Sequence, residues 1–179
     1  MVSTRLKGER MSVSALLQQY SSLFQSSGKP VLDLACGTGR NGLYLHQQQI
    51  PTVFADQNHT ALTSIAATSD VSAEQCWQVD FENGEQQLPA NHYQGIMVFR
   101  YLHRPLIADI KQAVCSGGIV IYETFTVDNR QFGRPNRDAF LLQLGELKEM
   151  FSDWQCLYYF EGIERNPDRA IAQIVCKKP

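Results

Sequence analysis

Three aspartates, a pair of glycines and a run of arginines are the residues of this sequence whose types and spacing could do chemistry. The segment Val31-Leu32-Asp33-Leu34-Ala35-Cys36-Gly37-Thr38-Gly39-Arg40 sets a carboxylate inside an apolar run, four positions before the first glycine. Glycines let the backbone turn sharply and admit a ligand closer than a Cβ would, and a helix starting near Arg40 would offer unpaired N–H groups. Asp33 would repel a pyrophosphate there, whereas an ammonium or sulfonium would be welcome, and a carboxylate in an apolar strand needs a partner to offset its desolvation. Asp56 follows the next apolar run, 17 residues beyond Gly39, where a carboxylate accepts hydrogen bonds from ribose hydroxyls.

Two cofactors fit this much. Gly37-Thr38-Gly39-Arg40-Asn41-Gly42 satisfies the dinucleotide pattern G-x-G-x-x-G literally, and Asp56 would serve NAD and S-adenosylmethionine alike. Asp33 and the Asp-Leu-Ala-Cys-Gly-Thr-Gly form of the turn favour the methyl donor, leaving a dinucleotide-binding oxidoreductase as the alternative. A second set lies further along. Between Arg100 and Arg137, six basic residues face three acidic ones, a local surplus of +3 in a chain of net charge -2. Arginine's planar fork suits carboxylates and oxyanions, so an anionic acceptor is expected, although such arginines also pair with neighbouring acids or cap helices. Tyr101, His103 and Glu123 are the candidates to take a proton if the acceptor carries one. The competing structural readings are a helix cap for Asp80 and a small packing residue for Cys36.

Positioning these residues takes a repeated strand-to-helix unit. Helical spacing covers 12–25, with Ser12 as N-cap, and ends at Ser26-Ser27-Gly28. Apolar strands are predicted at 30–35, 52–55, 75–79, 95–99 and 118–122, separated by helical spacing around Leu43-Tyr44-Leu45, over 58–67, and from Pro105 to Val114. After an Arg-rich stretch at 128–137, a helix is predicted over 140–151. Two strands then follow at 155–160 and 170–176, with a turn-forming connection at 161–169 that makes them an antiparallel pair. Continuous apolar strands alternating with amphipathic helices predict an α/β fold: a Rossmann-like, doubly wound sheet of seven strands, mostly parallel, with a C-terminal antiparallel pair. The two-strand ending also speaks for the methyl donor.

A chain of 179 residues is expected to form a single domain. Within it, 1–28 would be an N-terminal helix region, 29–127 the cofactor-binding core and 128–179 the substrate loop, helix and strand pair. The net charge gives no reason to expect nucleic acid. Five scattered cysteines without a C-x-x-C pair argue against a disulfide framework and a metal site, and fit a cytoplasmic protein. Residues 1–10 lack the apolar stretch of a signal peptide, and no run approaches the roughly 18 apolar residues of a membrane span.

The sequence resembles class I S-adenosylmethionine-dependent methyltransferases, and within them is similar to small tellurite-resistance-type methyltransferases. The D-x-x-C-G-x-G turn carries the first resemblance. The second rests on Tyr101-Leu102-His103-Arg104-Pro105-Leu106, Tyr122-Glu123-Thr124-Phe125, and Gly133-Arg134-Pro135-Asn136 with Phe140-Leu141-Leu142 and Glu146-Leu147. One departure is Ser116-Gly117-Gly118, where Pro-Gly-Gly is common. The resemblance implies that S-adenosylmethionine is bound and released as S-adenosylhomocysteine. Asp33 would receive the methionyl amine, Gly37 and Gly39 would pass under the methionine, and Asp56 would hold the ribose. Asp80 and the Phe81 N–H would take the adenine, with Ala35, Cys36 and Gln57 beside them. Phe99, Arg100 and Tyr101 would line the transfer site, and Arg100, Arg104, Phe125 and Arg134 would hold a small, anionic acceptor. A methyltransferase acting on RNA or protein with a partner is the further alternative.

Overall fold

A computed structural model describes residues 12–68 and 70–179; residues 1–10, read above for a leader, lie outside the described residues. One sheet runs through the molecule. Its strands are β1 (Val31–Leu34), β2 (Thr52–Asp56), β3 (Cys76–Gln78), β4 (Tyr93–Phe99), β5 (Val114–Phe125), β6 (Gln155–Glu164) and β7 (Arg169–Lys177), in the order β3-β2-β1-β4-β5-β7-β6. β1 to β5 pair in parallel, and β7 lies antiparallel between β5 and β6. This is the expected doubly wound sheet with its antiparallel ending.

The helices are α1 (Ala15–Tyr20), α2 (Arg40–Gln47), α3 (His59–Thr68), α4 (Leu106–Ala113) and α5 (Glu146–Met150). The period-two pattern of the strands divides them between the faces. Val31, Met97, Phe99, Ile119 and Ile121 pack with Leu16 and Leu17 of α1 and Leu45 of α2. Leu32, Leu34, Ile96, Val98, Val120 and Tyr122 pack with Leu106 and Ile110 of α4 and with Leu147, Phe151 and Trp154 near α5. Asp33 therefore falls on the α2 side, in the same face as Val31.

The elements differ from expectation in the first helix, in the helix expected over 140–151 and in the lengths of β5, β6 and β7. The first helix is shorter: α1 starts at Ala15 rather than after Ser12 and passes at Ser21 into a single tighter turn. The Ser14 N–H is taken by Asn41 Oδ1 at 3.0 Å, which ties the helix start to α2, and Phe24 leaves the helical path in extended geometry to fill the space over Gly95. The helix expected over 140–151 forms only as α5. Leu141 and Leu142 are both fully buried, and Leu141 leaves a single tighter turn in extended geometry (φ -122°, ψ 129°). Leu142 pairs beside the end of β5, its N–H donating to the Phe125 carbonyl at 2.9 Å, and Gly145 in left-handed geometry (φ 79°) starts the helix afterwards. β6 and β7 run further than expected, leaving only 165–168 as their connection.

Candidate functional site

The order of strands reverses between β1 and β4, so a crevice opens beyond their carboxyl ends. Ala35 (φ 55°) and Arg100 (φ 60°), the residues that leave these two strands, both take left-handed geometry that side chains other than glycine adopt only at a cost. Both line a cleft of about 200 Å³, together with Asp56, Gln57, Asp80, Phe81 and Tyr101. Five expected donor-side residues and two expected acceptor-side ones meet here.

The glycine turn is held by the neighbouring strand. The Cys36 N–H donates to the Ala55 carbonyl (3.0 Å), Gly37 N–H to Asp56 Oδ2 (2.7 Å), and Gly39 N–H back to the Cys36 carbonyl (2.9 Å). Asp56 Oδ1 accepts from the Asn58 N–H at 2.8 Å, so backbone donors hold both carboxylate oxygens of a half-buried side chain. A Cβ on Gly37 would meet no atom of the protein, because the turn faces open space. Gly39 instead lies against Ile65, and its φ of +73° excludes most side chains.

Asp33 sits deeper, 3% exposed, and accepts the Gly42 N–H on Oδ2 at 2.8 Å. Burial raises its pKa to about 7, against the pull of the Gly42 N–H and the nearby Arg40 guanidinium; Asp56 adds to the rise. A Cβ on Gly42 would run into Phe54 and Asp33 Oδ2, so the glycine is what allows the carboxylate its donor. Asp80 accepts the Glu82 N–H on Oδ1 (2.9 Å) in a local turn, and among the described residues its second oxygen has no donor. Phe81 turns its ring into the core, edge-on to Trp77 with centroids 5.6 Å apart. Cys36 packs beside the turn against the Phe54 and Ile65 cluster, and burial pushes its thiol far above the usual range. Tyr101 is half-buried, with burial and then the Glu82 carboxylate raising its phenol well above ordinary values, so it stays protonated at neutral pH.

On the other side of Arg100 lies a larger cavity of about 690 Å³, bounded by residues 12–16, the start of α2 and the β6–β7 hairpin. Arg40, Arg165 and Arg169 line it with Arg100, against Glu123 and Glu164. Glu123 is buried, its Oε2 accepting from Gln173 Nε2 at 2.7 Å and its Oε1 lying 3.9 Å from the Arg169 guanidinium. Arg169 also donates to Glu164 (2.6 Å), and Arg165 pairs with Asp168. Burial lowers the pKa of Arg100, and Arg40 and Arg169 lower it further, so the three guanidiniums feel one another. Arg40, Glu164, Arg165, Arg169 and Gln173 were not singled out from sequence, although Arg40 stands within the glycine turn itself.

The remaining expected residues lie apart from this cavity. Arg104 donates to both oxygens of Glu146 (2.5 and 2.8 Å) and to the Leu141 carbonyl (2.8 Å), joining the starts of α4 and α5. His103 borders a shallow cleft with Glu82 and Phe140. Phe125 and Arg134 line a separate cavity. Phe99 is buried against the α1 and α2 side.

A family model described as tellurite resistance protein TehB matches residues 21–168. The chain belongs to this family. A curated relative, the probable S-adenosyl-L-methionine-dependent methyltransferase TehB of Haemophilus influenzae, is 26% identical over 140 residues, covering 74% of this chain and 48% of its own length. The chain thus spans about half of that relative. The crystal structure of TehB from Haemophilus influenzae superposes with a TM-score of 0.71 at 23% identity, over 92% of this chain and 61% of that one. A SAM-dependent methyltransferase from Methanosarcina mazei gives 0.69 at 11% identity, over 94% and 99%. The sheet order of this chain, with β7 between β5 and β6, departs from the 3-2-1-4-5-6 order of the dinucleotide-binding fold. Among the described residues no helix is long and apolar enough to cross a membrane, and no cluster of metal-ligating side chains occurs.

Proposed function

We propose that this chain is a single-domain S-adenosylmethionine-dependent methyltransferase acting on a small anionic acceptor. The observation that carries the reading is the meeting, at Arg100, of a carboxylate-lined cleft with an arginine-lined cavity. The cleft residues suit the donor. Open space over Gly37 admits a ligand against bare backbone, Asp56 retains lone pairs for two ribose hydroxyls, and Asp33 supplies a buried carboxylate for an ammonium. Asp80 and the Phe81 N–H would hold the adenine edge.

The donor supplies a methyl group on a positively charged sulfur that leaves as a neutral thioether. The acceptor's lone pair forms the new bond to carbon while the S–C pair returns to sulfur, so holding the two in line is most of the catalysis. Arg40, Arg100 and Arg169 would draw the acceptor's charge toward the cleft. Glu123, held by Gln173, would keep Arg169 in place. An anionic nucleophile needs no proton removed, which agrees with a Tyr101 phenol that stays protonated. The five cysteines are all free, which supports a cytoplasmic setting.

A turnover assay reading S-adenosylhomocysteine release across small anions, thiols, neutral phenols and amines tests this. Anions are expected to give the highest kcat/KM, with a rate that falls in salt. A best acceptor that is neutral or cationic would overturn the acceptor assignment.

A further inference from the structure

Beyond the end of β5 lies a second cavity, of about 760 Å³, lined by Phe125, Arg134, Pro135, Asn136, Arg137 and Phe140. Among the described residues no carboxylate lines it, and neither Arg134 nor Arg137 makes a hydrogen bond or ion pair from its side chain. Arginines elsewhere differ: Arg104, Arg130, Arg165 and Arg169 each pair with an acid. The loop carrying the two unpaired guanidiniums is braced from within. Asn129, buried, donates to the Pro135 carbonyl (3.4 Å) and accepts the Ala170 N–H (3.1 Å). Arg130 donates to the Asn136 carbonyl (3.4 Å) and pairs with Asp138. Phe140, 44% exposed, leaves an aromatic ring in water at the cavity wall.

We infer that this cavity is a distal subsite for a ring-bearing acid, in which Arg134 and Arg137 hold the anionic group and Phe125 and Phe140 flank the ring. Guanidinium forks match carboxylate and phosphate oxygens and also stack on aromatic faces. The volume is that of a site for a whole organic molecule, several times what an inorganic oxyanion would fill. Glu123 of the arginine-lined cavity and Phe125 of this one are two residues apart on one face of β5, which is about 7 Å. One elongated molecule can therefore place its reacting atom near Arg100 and its acid group here. In that respect the inference rests on the proposed methyl transfer, and it narrows the acceptor from any small anion to an aromatic acid.

Calorimetric titration of benzoate, phenyl phosphate, cyclohexanecarboxylate and inorganic phosphate tests it, with and without saturating S-adenosylhomocysteine. Benzoate and phenyl phosphate are expected to bind about tenfold more tightly than cyclohexanecarboxylate and inorganic phosphate, from ring stacking and the guanidinium contacts together. R134A and R137A should each weaken the ring acids about tenfold, and F140A should erase the preference of benzoate over cyclohexanecarboxylate. Binding of inorganic phosphate as tight as phenyl phosphate, or ring-acid binding unchanged in R137A, would overturn the subsite. Because the titrations without S-adenosylhomocysteine read the cavity alone, a protein that binds ring acids but not the demethylated donor would refute the methyltransferase reading and leave the subsite standing.

Discussion

The two halves of the rim are built by different means. Beyond β1, β2 and β3, carboxylates are held by backbone: Asp33 by the Gly42 N–H, Asp56 by those of Gly37 and Asn58, Asp80 by that of Glu82. Beyond β4, β5 and the β6–β7 hairpin, arginines and glutamates hold one another, as Arg169 does with Glu123 and Glu164. A carboxylate fixed by main-chain donors keeps its place without a ligand, at little cost in side-chain entropy. A cluster of guanidiniums with fewer acids than bases keeps a demand for further negative charge. On the proposed reading, the first half is pre-formed for a cation with a sugar, and the second stays open to an anion.

The largest effect that would break this contrast comes from Asp56. In D56A the donor loses both ribose hydrogen bonds and the turn loses its brace, so affinity for S-adenosylhomocysteine should fall by about 1.5–3 kcal/mol, roughly 10- to 150-fold. Unchanged affinity in a folded D56A protein would mean that the ribose is held elsewhere. On the opposite half, R169A should raise the acceptor KM by about tenfold, the worth of one charge-assisted hydrogen bond, while the donor affinity stays as it was. An equal loss of donor affinity would show that the two halves are not separate.

A smaller effect, visible only against pH, sharpens the comparison at Asp33. Its pKa in the folded protein, about 7, lies above the ordinary 3.8, so the folded state holds a proton that the unfolded state has released between those values. Stability of the donor-free protein therefore falls as pH rises through that window, the reverse of a salt-bridged carboxylate. D33N should be more stable than wild type at pH 8, with the difference shrinking as pH falls below about 7. Donor affinity should move the other way. An ammonium needs the ionised carboxylate, so wild-type affinity should rise with pH through about 7 and that of D33N should stay flat. Parallel pH profiles for the two proteins would remove Asp33 from the ammonium site.

The same difference in construction governs what could be read from sequence. The proposed donor half is local: Asp33, Gly37, Gly39 and Arg40 lie within one strand, turn and helix start, Asp56 ends β2 and Asp80 follows β3, so type and spacing are enough to bring them to one edge of the sheet. The acceptor half is assembled across the chain. Arg40 and Arg169 are 129 positions apart, and only β7 inserting antiparallel beside β5 brings Gln173 and Arg169 to Glu123. The arginine surplus after β4 includes Arg100 but not Arg40, Arg165 or Arg169, which line the same cavity. Arg104 is engaged by Glu146, 42 positions away, and Arg165 and Arg169 sit on the hairpin beyond the stretch that was counted. The misplaced helix at 140–145 has the same origin, because the pairing of Leu142 beside β5 depends on a distant strand end rather than on local spacing.

The most direct measurement of the central claim is isothermal titration of the protein with S-adenosylmethionine, S-adenosylhomocysteine, NAD and NADH. Binding of the first two with dissociation constants on the order of micromolar, and no heat from the dinucleotides, is the predicted result. Tight binding of a dinucleotide, with neither S-adenosyl compound bound, would contradict it.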